Sequence, residues 1–137
     1  MRAGYERVRV MTRPREGLQL KCVLLGVVLA FMAAFVLSGV VGLVMYQGWL
    51  SEVYSPLVMN LVSFFCLFVG ALYAGRRAGV SGLIHGGLTG LFYIIAISVL
   101  GLLLFDQLAP VLVLVERTVL AILLGAVGGT IGINIGR

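Results

Sequence analysis

"AGRRAGVSGLIHGGLTG", residues 74–90, sets six glycines and two adjacent arginines into seventeen positions between long apolar runs. Two readings compete: a loop that cradles phosphate, and a reversal between two helices that approach very closely. Phosphate loops carry G-x-x-x-x-G-K-[ST], or G-x-G-x-x-G between a strand and a helix. Neither order occurs here. Placed at about 100° per residue, Gly79, Gly82, Gly86 and Gly90 fall within an arc of about 80°. That is a small-residue stripe on a helix, so the stretch reads as a turn followed by a close-packing face.

The flanks agree. The chain has 137 residues, 61% hydrophobic and 11% charged, with a mean hydropathy of +1.16. Soluble domains carry about 25% charged residues, and no water-soluble fold of this length could hide so much apolar surface. Residues 22–47, 53–75, 78–105 and 118–136 contain no Asp, Glu, Lys or Arg. Each reaches the roughly 18–20 residues that a helix needs to cross about 30 Å of hydrocarbon. None shows the apolar–polar alternation of a barrel strand, and backbone groups in lipid must be satisfied within their own segment. The expected fold is therefore all-α: a four-helix transmembrane bundle with helices near 22–47, 54–75, 79–105 and 111–136. It makes one domain, 22–137, behind a basic arm, 1–21. The first apolar run is longer than a signal-peptide core and has no small-x-small cleavage site, so it is expected to remain as an anchor.

Nine of the ten Lys and Arg residues fall on one side of this plan: six in the arm, then Arg76, Arg77 and Arg137. Only Arg117 falls on the other. Lys and Arg bias loops toward the cytoplasm, so both termini are expected there. The formal net charge of +5 is then a topology signal. Basic residues interleaved with aromatic or base-reading side chains are missing, which argues against nucleic acid as a partner. The expected partners are the bilayer, its anionic headgroups beneath the arm, and a second copy or another membrane protein. Trp49, Tyr46 and Tyr54 gather at the outer end of the first hairpin, where amphipathic rings prefer the interface.

Small residues recur on every helix. Gly125, Gly128, Gly129, Gly132 and Gly136 share an arc of about 100° on helix four. Helix two contributes Gly70, Ala71, Ala74 and Gly75, and helix one Gly26, Ala30 and Ala33. Such stripes let membrane helices bring backbones into dispersion and Cα–H contact where hydrocarbon supplies little hydrophobic drive. With the orientation above, all lie toward the cytoplasmic side, so the glycine-rich packing is expected to be tightest there. Arg76 and Arg77 are expected in the turn itself, snorkelling to headgroups.

Polar candidates are few. His85, the one histidine, shares a ridge with Ser81 and Thr89. It reads either as a neutral ring hydrogen-bonded across the bundle or as a proton relay, which would need a second titratable group deeper in the membrane. Glu116 and Arg117 are neighbours that do not face each other on a helix. They read as interfacial, or, if 110–115 is drawn into the bilayer, Glu116 becomes a coupling-ion candidate. Asn60 and Ser63 share the small face of helix two. Cys22 and Cys66 are expected at different depths, unsuited to a disulfide. One His and two scattered Cys fall short of a zinc site, so no metal or cofactor is expected. No G-x-S-x-G, H-E-x-x-H or paired carboxylate occurs, and no catalytic residue is assigned.

The run "GALYAGRRAGVSGLIHGGLTGLFY", 70–93, resembles the YrzE-like small membrane proteins of Gram-positive bacteria. The resemblance implies a four-helix protein of a bacterial cell membrane and brings no reaction with it. The expected function is that of a non-catalytic accessory or interaction protein; the alternative is a small transporter or channel that acts as an oligomer.

Overall fold

Each uncharged run becomes one helix. A computed structural model describes residues 19–79, 81–106 and 110–136, and the arm before residue 19 lies outside them. α1 is Leu20–Tyr46, α2 Ser55–Ala78, α3 Gly82–Phe105 and α4 Val111–Ile135. A single 3₁₀ turn, Glu52–Tyr54, leads into α2. All four helices are long and apolar enough to cross a membrane. At 1.5 Å per residue they measure about 36–40 Å, which exceeds the hydrocarbon thickness and carries their ends into the headgroup layers. Apolar side chains cover every side: Phe35 is 82% exposed and Leu112 83%. Such exposure is untenable in water over so many residues and ordinary in lipid.

α2 and α3 form a central pair, with α4 packed on both and α1 packed on both. Burial is confined to one half of the bundle. The last buried residue toward the other half is Ala30 in α1, Cys66 in α2, Ile94 in α3 and Ala121 in α4. The packed half holds the start of α1, the α2–α3 connection and the end of α4; the opposite half is loose. Lys21, Arg76 and Arg77 lie at the packed end, while Glu52, Asp106, Glu116 and Arg117 lie at the loose end.

Two expectations are corrected at the α2–α3 connection. Arg76 and Arg77 are not in the turn but in the last turn of α2, which runs to Ala78. Arginine is a good helix former, and a cation is favourable against the partial negative charge of a helix C-terminus. Gly79 is not part of the packing stripe. It caps α2 in the left-handed region (φ 66°), its N–H donating to the Gly75 carbonyl at 3.2 Å, and a Cβ there would meet open space. Its role is the left-handed reversal that glycine makes without a Cβ clash.

Candidate functional site

Along the α3–α4 seam the two backbones touch. A Cβ on Gly82 would collide with the Gly129 carbonyl, one on Gly86 with the Gly125 carbonyl, and one on Gly90 with the Ala121 carbonyl. The reverse holds for Gly125 against Gly86 and for Gly129 against Gly82. The pairs step by four residues in opposite directions, the signature of antiparallel helices meeting along one ridge each.

Against α2, the next ridge of α4 does the same in parallel. Gly128 faces Phe68, with the Phe68 carbonyl 2.9 Å from the position its Cβ would take, and a Cβ on Gly132 would strike the Leu72 carbonyl. Gly75 of α2 meets Gly129 as well. On the far side of α2, a Cβ on Gly26 would stand 2.7 Å from the Gly70 carbonyl, and one on Gly70 would stand 2.7 Å from the Ala30 Cβ. The stripe on α4 is therefore two adjacent ridges with different partners. Gly129 stands where three helices meet.

Polar side chains in this half are spent on holding helices. His85 is buried. Its Nε2 accepts from the Gln19 backbone N–H at 3.0 Å, and its Nδ1 lies 3.0 Å from the Ser81 carbonyl. One ring nitrogen accepts, so Nδ1 carries the proton and donates to Ser81: the ring is neutral with both nitrogens used. It ties the start of α1 to the first turn of α3. Thr89 donates to the His85 carbonyl at 2.7 Å, the back-bond that satisfies a hydroxyl inside a helix. Every buried side-chain nitrogen or oxygen among the described residues has a hydrogen-bond partner.

Tyr93 was not singled out from the sequence. Its side chain is buried, its ring centroid lies 5.2 Å from that of Phe31, and its hydroxyl is 3.1 Å from the Ser63 hydroxyl. It joins α1, α2 and α3 at the border between the packed and loose halves. The ridge Ser81, His85, Thr89 reaches Tyr93 at the next step of four, which was the available signal.

The remaining candidates are scattered. Arg76 and Arg77 are exposed, and Arg77 donates to the Tyr73 hydroxyl at 3.0 Å beside a recess of about 250 Å³. Glu116, exposed on α4, lines a second recess of about 200 Å³ with Arg117, Asn60 and Phe64. By the α3–α4 register His85 stands level with residue 126, so ten residues, about 15 Å of helix, separate it from Glu116. They form no common site. Cys22 and Cys66 are buried and free. No three His, Cys, Asp or Glu side chains converge as a metal site among the described residues.

A family model described as "Protein of unknown function (DUF3792)" matches residues 19–132. The chain belongs to the DUF3792 family. The DUF3792 match takes in α1, α2 and α3 whole and α4 as far as Gly132, with His85, the two arginines and Glu116. No curated protein and no solved structure matches the chain.

Proposed function

We propose that this DUF3792 protein is a non-catalytic accessory or interaction protein of the bacterial cell membrane, with both termini in the cytoplasm and a second copy or another membrane protein as its partner. The observation that carries this reading is how the packed half is built. Its helices meet by backbone, His85 and the Tyr93–Ser63 pair use their polar atoms to join helices, and Thr89 satisfies its hydroxyl within α3. The loose half, by contrast, offers apolar side chains on every helix to whatever surrounds it. The bacterial setting rests on the YrzE-like run at 70–93, and the orientation on the positive residues at the packed end.

The test is capture of the tagged full chain from native membranes in mild detergent, followed by cross-linking and size analysis. A stable dimer or a stoichiometric membrane-protein partner is the expected result. A monomer in every detergent would overturn the partner. Solute flux in proteoliposomes that disappears in Glu116→Gln would replace this reading with a transporter.

A further inference from the structure

In the loose half, α2 and α4 run parallel but no longer meet by backbone. The recess of about 200 Å³ between them is lined by Asn60, Phe64, Val113, Glu116, Arg117 and Leu120. Asn60 is the sixth residue of α2 and Glu116 the sixth of α4, so both stand about 7–8 Å from their helix starts. Helices of 24 and 25 residues exceed the hydrocarbon layer by about 6–8 Å. Centred in the bilayer, they place these polar groups about 4 Å beneath the headgroup boundary. A charge at that depth is costly unless something solvates it.

The donor set is specific. Glu116 and Arg117 project about 100° apart and cannot neutralise each other side by side. The Asn60 amide comes from the facing helix. The space is several times the roughly 30 Å³ share of one water, yet below the roughly 300 Å³ of a drug-sized pocket. It fits a small dipolar group. Leu120, which lines the recess and is 40% exposed, leaves an apolar lip for hydrocarbon tails.

We propose that this recess holds the headgroup of an amine-bearing zwitterionic phospholipid. The Arg117 guanidinium takes the phosphate oxygens, a geometry its planar fork suits. The Glu116 carboxylate accepts from the ammonium, and Asn60 adds an amide to the phosphate side. An anionic lipid leaves Glu116 unpaired and repelled. A lone metal cation finds one carboxylate with a guanidinium beside it. This site is independent of the interaction role proposed above.

The experiment uses the purified full chain in detergent and follows thermal unfolding while short-chain phosphatidylethanolamine is added, since a ligand of the folded state raises the midpoint with the logarithm of its concentration once that exceeds the dissociation constant. A rise that grows with the logarithm of lipid concentration is expected. Arg117→Ala and Glu116→Gln should each weaken apparent binding by about tenfold or more, and Arg117→Lys should recover part of the loss. Leu120→Trp, which fills the recess and leaves both charges, should also abolish the rise, so the outcome does not hang on a charge-removal variant that fails to fold. An equal rise with phosphatidylglycerol would overturn the ammonium contact. An equal rise with phosphoethanolamine at the same concentration would overturn a lipid as the ligand, and no rise with any of the three would overturn the site.

Discussion

Gly129 shows how little separates a packed seam from a clash. Its missing Cβ would strike the Gly82 carbonyl and stand 2.8 Å from the Gly86 Cα, while the missing Cβ atoms of Gly75 and Gly82 both aim at Gly129. Each obstacle is backbone, held by helical hydrogen bonds, so no rotamer change can make room. Overpacking costs about 1–3 kcal/mol where side chains can adjust. Gly129→Ala should cost at least about 3 kcal/mol, because here the helices themselves must part. Gly87, on the same helix as Gly86, is the control. Its Cβ would lie 3.8 Å from the nearest atom, an Ile122 methyl, so Gly87→Ala should change stability by no more than about 1 kcal/mol, its sign set by the better helix propensity of alanine. Reversible unfolding in mixed micelles measures both. Equal losses at the two positions would refute backbone contact as the basis of the seam.

At the scale of elements, the α2–α3 reversal concentrates two left-handed residues in three positions. Gly79 adopts φ 66° without cost, but Ser81, the residue before α3, holds φ 52° with a Cβ in place. Its carbonyl accepts from the Ile84 and His85 backbone N–H groups, each at 3.1 Å, and from the His85 ring. These bonds hold serine in a region that costs an L-residue about 1–2 kcal/mol. Ser81→Gly should therefore stabilise the chain by about 0.5–1 kcal/mol, and Gly79→Ala should destabilise it by about 1 kcal/mol, both read as shifts of the thermal midpoint in detergent. A loss in Ser81→Gly would show that its side chain, not its backbone, matters. The same reversal marks what was legible in the sequence. The absence of charge over four long runs announced the helices, and steps of four among Gly82, Gly86 and Gly90 announced a face. The partner of each face was not announced. Gly125 and Gly128 lie on adjacent ridges of one arc, yet one meets α3 and the other α2. Residues 56 apart, Asn60 and Glu116, meet over one recess through a helix register that no local pattern encodes. The turn begins later than expected because Arg76 and Arg77 continue the helix through Ala78 and the left-handed reversal falls on Gly79.

For the whole molecule, charge and packing divide along the same line. Lys21, Arg76 and Arg77 sit at the packed end, and the three described acidic residues, Glu52, Asp106 and Glu116, sit at the loose end with Arg117. The first set favours the cytoplasmic leaflet. Close backbone contact at the packed end fixes the helix ends against one another, and the loose half leaves its apolar side chains exposed to its surroundings. The orientation can be tested with thiols, because the native Cys22 and Cys66 are only 5% and 1% exposed and contribute little background to a hydrophilic reagent. Ser51→Cys and Asp106→Cys, both exposed between helices at the loose end, should react with a membrane-impermeant maleimide in intact cells. Gly136→Cys, exposed at the packed end beside the flexible Arg76 stem, should react only after permeabilisation. The opposite labelling pattern would turn the bundle over, carry the glycine seams to the outer leaflet, and place the Glu116 recess against cytoplasmic lipid headgroups.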